Sequence, residues 1–401
     1  MIIKSLISRL LIPILFLLRL VVTKDNIIVF SSSNNYKYSG NTKYLFEYLN
    51  INSKYQCYWV TESNDIIKYL DSKKYNYISN NNIISKLLIL LRCKIMISSG
   101  TSFYDPYNIV SNDKKMTKIC TMHGTGPKLT IERSVNIEKT LKIIKDINLY
   151  NYVAFCTDHA CTTIGVNQLV LPKEKTRILG SPKQDKLYDK KSIIEIYNQK
   201  KWTRLFMGED YNDQKIIYYA PTFRDFKSDI PIKDLIDFND KKFNEFLSEN
   251  KFCLLYSYHS MSNFDRHMKD SKNIKFIDDK KYPLFDNIEL MCEVDMFLGD
   301  YSTLSTDFLI LRKPQAFIMP DFEKVRDTKG FAENIKGYIP GVEIKTFSEL
   351  KHTLATYLSN PEIYLEEFSE QISYLESRYI GYTSETSCKR FLDLINKVIT
   401  K

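Results

Sequence analysis

The chain reads as two doubly wound α/β domains in tandem, and three observations predict it. Its 401 residues, 44% of them hydrophobic, exceed one ordinary core and suit two domains that share a cleft. Short β-rich runs alternate with amphipathic stretches, which indicates parallel sheets covered on both faces. The strand pattern lapses in a charged stretch at 176–214 and begins afresh after it, so the domain junction is placed there.

The first 22 residues, MIIKSLISRLLIPILFLLRLVV, are apolar but interrupted by Lys4, Arg9, Pro13 and Arg19. The longest uncharged run falls well short of the ~20 residues a spanning helix needs. No small-residue cleavage site follows; Thr23-Lys24-Asp25-Asn26 leads straight into IIVF. The expectation is an interfacial membrane helix over 1–22 with basic anchors; a helix packed on its own domain fits the same residues.

The first domain, 26–200, carries IIVFS at 27–31, YQCYWVT at 55–61, KIMISS at 94–99, KICTMHG at 118–124 and YVAFCT at 152–157. NTKYLFEYLN at 41–50 and NNIISKLLILLRC at 81–93 read as helices opening at an Asn or Ser suited to a cap. The second helix sets Lys86 and Arg92 beside a Leu-Ile run, so it suits either a membrane-facing surface or a buried crossover. The stretch at 176–214 holds one strand before its charged helical part. The second domain, 201–401, restarts with KIIYYAPT at 215–222, then FCLLYSYH at 252–259, IKFID at 274–278, VDMFLGD at 294–300 and PQAFIM at 314–319; its last helix is free to cross back. Ligands of such sheets bind beyond the carboxyl ends of the strands.

Composition narrows the partners. Lys and Arg outnumber Asp and Glu by 57 to 48, a moderate excess that suits nucleotides, phosphate polymers or lipid headgroups. Zinc-finger and basic-zipper spacings are absent, so no nucleic-acid partner is expected. The eight cysteines are scattered without a C-x-x-C pair and read as reduced core residues.

Candidate chemistry sits at strand ends. His123 closes an apolar strand and is followed by Gly124, Thr125, Gly126, Pro127 and Lys128, which read as a turn into a Pro-started helix. An imidazole there can take a proton from an attacking hydroxyl, work worth roughly 10²–10⁴-fold in rate. Thr125, Lys128 and the helix N–H groups would suit anionic oxygens. A histidine held in a structural turn is the plainer alternative. Downstream, Gly299-Asp300-Tyr301 turns into Ser302, Thr303, Ser305, Thr306 and Asp307 at the start of an apolar helix. Clustered hydroxyls and N–H groups form a diphosphate cradle there, or simply a well-capped helix. His259, at another strand end, suits charge growing on a leaving group or an ordinary surface position. Arg224-Asp225 reads as an internal ion pair or, through the guanidinium, a phosphate contact. His159, His267 and His352 gain no functional weight. Walker, dinucleotide, G-x-S-x-G and zinc-hydrolase patterns are missing, and neither a metal nor a cofactor is expected.

These motifs, in this order, resemble the CDP-glycerol glycerophosphotransferase family of teichoic-acid primases and polymerases and related capsule enzymes. The family's HGTPLK stands here as HGTGPK, its YAPTWRD as YAPTFRD at 219–225, and its TDYSS-x-x-x-D as GDYSTLSTD at 299–307. Its G-x-P-R-x-D is similar to Gly180-Ser181-Pro182-Lys183-Gln184-Asp185, and KPQAFIMPDFEKVRDTKGF at 313–331 resembles a later conserved region. The resemblance implies a GT-B-like architecture with two Rossmann-like domains facing a central cleft, the acceptor gripped mainly by the first and the donor by the second. It assigns His123 as base, His259 as a diphosphate contact, and the donor cradle to Ser302 and Thr303; from the motifs themselves, Gly124, Thr125, Lys128, Arg224, Asp300, Ser305 and Asp307 are the further substrate-binding candidates.

The implied reaction moves glycerol phosphate or ribitol phosphate from a CDP-linked donor to a hydroxyl of a lipid-linked or cell-surface glycan, releasing CMP. The implied location is peripheral, on the cytoplasmic face of the cell membrane. Two departures stand out. RPHP of the family is Ser257-Tyr258-His259-Ser260 here, and Gly126-Pro127 replaces Pro-Leu of HGTPLK. The lost arginine removes a bidentate contact and leaves the polyol open. A nucleotide-sugar glycosyltransferase and an inactive membrane-bound scaffold are the alternatives that a screen of donors separates.

Overall fold

The computed structural model describes residues 17–400, apart from 19–20, 33–36, 80–82, 107–108, 209–210, 212, 223, 225–230, 258–269, 333–338, 383 and 385. The first sheet holds β1 (Asp25–Ser31), β2 (Gln56–Val60), β3 (Asn76–Ile78), β4 (Cys93–Ser98), β5 (Thr117–Cys120), β6 (Tyr152–Phe155) and β7 (Thr176–Ile178). Their order is β3-β2-β1-β4-β5-β6-β7. The second holds β8 (Lys215–Tyr219), β9 (Phe252–Ser257), β10 (Ile274–Ile277), β11 (Met296–Gly299), β12 (Gln315–Ile318) and β13 (Val342–Ile344), in the order β10-β9-β8-β11-β12-β13. Every named pairing in both sheets is parallel.

The continuous apolar runs follow from burial on two faces. In β1, Ile28 and Phe30 join one core cluster while Ile27 and Val29 join another on the opposite side. β8 behaves alike, with Ile217 and Tyr219 on one face and Ile216 and Tyr218 on the other. Each such side chain contributes about 1.5–3 kcal/mol when fully buried, so neither face tolerates a polar residue cheaply. β3 and β13, not anticipated from the sequence, are three-residue strands at sheet edges. Runs that short carry no readable alternation, and pairing with β2 and β12 defines them.

β7 closes the first sheet. The helices Pro182–Tyr188, Lys190–Gln199 and Lys201–Met207 then lead to β8. The final helix, Ser387–Ile399, returns to the first domain, where Phe391 and Ile395 pack with Phe30 and Trp59.

At the amino end, residues 17, 18 and 21 are helical, and Leu17 and Val21 are 63% and 75% exposed. Val22 packs against the same core cluster as Leu87 and Ile89 of the helix Ile83–Arg92. Residues 1–16 of the expected membrane helix lie outside the described residues. Among those described, no helix is long and apolar enough to cross a membrane.

One local expectation is overturned. No helix begins at Pro127; the next one is Ile137–Ile147. The intervening chain instead lies along the second domain. Leu129 N donates to Gly330 O (3.1 Å), Ala332 N to Pro127 O (2.7 Å) and Ser134 N to Thr328 O (2.6 Å). Backbone groups spent on these cross-domain bonds are not available for a helical ladder.

Candidate active site

Both sheets reverse their strand order once, between β1 and β4 and between β8 and β11. Crevices open at such switch points beyond the carboxyl ends of the strands. The larger cleft, about 510 Å³, opens beyond β8 and β11 and is lined from both domains.

His123 stands on the first-domain wall of this cleft. β5 extends by one bond, Thr121 N to Ser98 O (2.8 Å), and then Met122 takes a φ of +52°. That left-handed conformation is costly for a side chain larger than glycine and turns the chain so that His123 is exposed. Asn41 holds the turn. Its Nδ2 donates to Thr121 O (3.1 Å) and Met122 O (2.7 Å), and its Oδ1 accepts from Ser181 Oγ (2.7 Å) and Lys183 N (3.1 Å). This residue does not cap its helix as expected; Ser39 occupies the cap position, and Asn41 sits buried in the first turn.

The glycines after His123 have a steric reason. A Cβ on Gly124 would lie 3.0 Å from Thr303 Oγ1, and one on Gly126 would lie 3.0 Å from Thr303 Cγ2 and 3.3 Å from Thr306 Oγ1. The HGTGP segment therefore rests directly on the hydroxyl cluster of the second domain. Thr125 is buried and donates to Tyr379 O (3.0 Å), and Cys156 lies within 3.5 Å, so its hydroxyl is directed into the domain interface. Lys128 lines the cleft beside Glu132 at 3.4 Å; burial pulls its pKa down, with Glu132 opposing.

On the opposite wall stand Tyr301, Ser302 and Thr303. The helix Leu304–Phe308 begins there, and Thr303 at its cap position makes no capping bond; Ser302 Oγ accepts from Leu304 N at 3.3 Å. The Thr303 hydroxyl is thus not spent on the helix. Ser305, Thr306 and Asp307 are buried beneath. Both oxygens of Asp307 are engaged by the first domain, by Lys183 Nζ (2.5 Å) and Gln184 Nε2 (3.0 Å), while Lys183 Nζ also donates to the His123 carbonyl (3.1 Å).

Arg224 and Asp300 form a buried frame behind this wall. The guanidinium donates to Asp321 in bidentate fashion (Nε 2.8 Å, Nη2 3.0 Å), and Nη1 donates to Asp300 and to Thr222 O. Asp300 also accepts from Thr222 N (2.8 Å) and Thr222 Oγ1 (2.8 Å). With its side chain 1% exposed, Arg224 fixes the loop after β8 against the loop after β11. Arg224 pairs with Asp300 and Asp321, and Asp225, the partner expected from the sequence, lies outside the described residues.

The cleft therefore gathers His123, Gly124, Lys128, Ser302 and Thr303, while Thr125, Arg224, Asp300, Ser305 and Asp307 serve its frame. His259 falls outside the described residues. Sequence reading missed Lys37, Lys183, Tyr218 and Asn287 as lining residues. Tyr218 Oη lies 2.9 Å from Ser257 Oγ and donates to Asn287 Oδ1 at 2.9 Å; burial pushes its phenol pKa upward and keeps it a donor. Lys37 pairs with Asp279 across the cleft. The segment holding Lys183 was visible as a motif, but its cleft position required the fold.

Two Rossmann-like domains, with a histidine on one wall and hydroxyls on the other, define a GT-B-like transferase. Residues 14–397 match the family model of CDP-glycerol:poly(glycerophosphate) glycerophosphotransferase, and the chain belongs to that family. Among its relatives, the teichoic acid glycerol-phosphate transferase of Staphylococcus aureus is 26% identical over 376 residues, covering 86% of this chain and 88% of that protein. The teichoic acid ribitol-phosphate polymerase TarL of the same species is 21% identical, covering 82% of this chain and 57% of that protein. The solved structure of the wall teichoic acid polymerase TagF aligns over 99% of this chain and 96% of its own, with a TM-score of 0.74 at 20% identity. The fold is therefore shared with TagF.

Proposed function

We propose that the protein transfers glycerol phosphate or ribitol phosphate from a CDP-linked donor to a hydroxyl of a lipid-linked or cell-surface glycan, releasing CMP. One observation carries the reading: His123, Ser302 and Thr303 line one cleft formed at the strand ends of both domains. The family supports transfer of a polyol phosphate, and its named relatives divide between glycerol-phosphate and ribitol-phosphate enzymes.

In this mechanism the acceptor hydroxyl oxygen attacks the phosphorus that bears the polyol. A new P–O bond forms, the bond from that phosphorus to the bridging oxygen breaks, and CMP departs with the electron pair. The hydroxyl proton passes to His123. Thr303 and Ser302 hydroxyls receive the diphosphate oxygens, with Lys37, Lys128 and Lys183 as the cations lining the cleft. Catalysis is chiefly positioning and charge stabilisation. Purified protein given CDP-glycerol, CDP-ribitol or a UDP-sugar with a membrane acceptor should release CMP from one of the first two. Turnover of the UDP-sugar instead would replace this reading with glycosyl transfer, and binding without product from any donor would leave a scaffold.

The protein is further proposed to lie peripherally on the cytoplasmic face of the membrane. Exposed Leu17 and Val21, together with exposed Ile84 (73%), Leu88 (51%) and the basic Arg92, support an apolar surface with a cation beside it, while Lys86 is buried. Deleting residues 1–22 should move the protein from the membrane fraction to the soluble one. Continued sedimentation with lipid would assign the contact to the helix Ile83–Arg92 or another surface.

A further inference from the structure

A separate cavity, about 370 Å³, opens along the outer edge of the first sheet, and none of its lining residues lines the cleft of His123. One wall is the edge strand β7, with Arg177 in it and Leu179 just after it. The other is the returning helix Ser387–Ile399, which presents Arg390, Asp393, Leu394, Lys397 and Val398 at the spacing of a single helix face. The transfer reaction proposed above makes no use of it.

Three cations meet one carboxylate here. Arg177, Arg390 and Lys397 line the cavity with Asp393, so three positive charges less one negative leave a formal +2. Among the described residues none of these four side chains forms an ion pair. The two arginines are held by rings. The Arg177 guanidinium carbon lies 4.6 Å from the centre of the Tyr152 ring, and its Nη1 donates to Glu174 O (2.7 Å) and Thr176 O (2.6 Å). The Arg390 guanidinium carbon lies 3.3 Å from the centre of the Tyr382 ring, whose hydroxyl donates to Ile178 O at the end of β7 (3.3 Å). A ring fixes a guanidinium in place without neutralising it. Arg390 Nη1 is buried and has no hydrogen-bond partner among the described residues. Buried polar groups are ordinarily bonded, so a spare guanidinium nitrogen on a side chain that lines a cavity calls for an acceptor from outside.

Charge and size select the guest. A phosphate monoester carries about −1.5 to −2 near pH 7 and three acceptor oxygens, which matches the cavity. A phosphodiester carries only about −1. The volume of about 370 Å³ falls within the roughly 300–1,000 Å³ of pockets that take organic ligands. Leu179, Leu394, Val398 and the Tyr152 side chain offer apolar surface to an organic body, which inorganic phosphate would leave unused.

We propose that this cavity is a second ligand site, taking the phosphate monoester of a small organic molecule. The phosphate lies between Arg390 and Lys397 on the helix and Arg177 on the strand, and the body rests on the three aliphatic side chains. Nucleoside monophosphates and polyol phosphates share this chemistry.

Isothermal titration of the full-length protein, its cleft saturated with CDP-glycerol and no acceptor present, distinguishes the sources. CMP and glycerol 3-phosphate are the probes; cytidine, glycerol and inorganic phosphate are the controls. At least one monoester should bind about tenfold or more tightly than its unphosphorylated counterpart and than inorganic phosphate, because charge-assisted bonds and apolar contacts are each worth that much. Tighter binding of CMP identifies a nucleoside body, and tighter binding of glycerol 3-phosphate a polyol. Arg390→Gln should weaken the monoester about tenfold or more while the Kd for CDP-glycerol stays within about twofold. Lys397→Glu alters an exposed side chain, keeps the test valid if the Arg390 variant misfolds, and should weaken the monoester at least as much. Absence of monoester binding, or binding unmoved by both variants, would overturn the proposal. Inorganic phosphate bound as tightly as either monoester would overturn it too, leaving a cation cluster that takes an adventitious ion only.

Discussion

His123→Ala should lower CMP release by roughly 10²–10⁴-fold, the range that a positioned general base supplies, while affinity for the CDP-linked donor is retained. The retention follows from geometry. His123 is exposed on the first-domain wall, and its carbonyl accepts from Lys183 Nζ. Alanine keeps that carbonyl, and Asn41 keeps the turn by bonding to Thr121 O and Met122 O. Ser302 and Thr303 on the opposite wall are untouched. Residual turnover should remain, because holding acceptor and donor in line supplies part of the rate without a base. Single-turnover CMP release with a separate donor titration separates the two effects. Turnover within threefold of wild type would remove His123 from the base role, and a parallel loss of donor affinity would make it a binding residue.

The fold was legible in the sequence because both sheets are buried on two faces, so that runs such as IIVFS and KIIYY appear as unbroken apolar strands. β3 and β13 were not, being three-residue edge strands without a pattern of their own. Two motifs read from the sequence meet at the candidate site, but the place of each residue in it was not legible. Gly126-Pro127 reads locally as a turn into a helix, yet the segment is irregular, because Pro127 O, Leu129 N and Ser134 N pair with the second domain. Asp307 and Thr125 belong to motifs that look catalytic, and both are consumed by the interface that brings the walls together. Lys37 and Asn287 stood outside every motif. They meet at the cleft only because two sheets reverse strand order opposite one another, a relation between residues about 250 positions apart that no local pattern encodes.

Lys43→Met should destabilise the protein by about 3–5 kcal/mol, the usual consequence of removing one partner from a buried ion pair. Lys43, in the first domain, places Nζ 2.7 Å from Asp286 and 2.8 Å from Glu289, both in the second, and its side chain is 6% exposed. Tyr44 adds a 2.9 Å bond to Asp286. Asp286 in turn caps the helix Asn287–Glu293 through Ile288 N (2.9 Å), so the cluster also sets Asn287 against Tyr218 at the cleft. Methionine preserves bulk but strands two carboxylates in the interface. Because the cluster joins domains, the loss should appear as a split of a single urea transition into two, with the second domain's donor affinity falling in parallel. Acid narrows the deficit. Burial pushes the Glu289 carboxyl up, but Lys43 outweighs it and holds the group below its ordinary value. A carboxylate depressed in the folded state stabilises above its unfolded pKa, about 4.3 for glutamate, and that contribution is lost as pH falls through the folded value. Wild type therefore weakens below about pH 4.3, whereas in the variant the Glu289 carboxyl, without Lys43, becomes neutral and costs less. Urea midpoints at neutral and acid pH measure both trends; a loss below about 1 kcal/mol at neutral pH would mean that the cluster is solvated and does not lock the cleft.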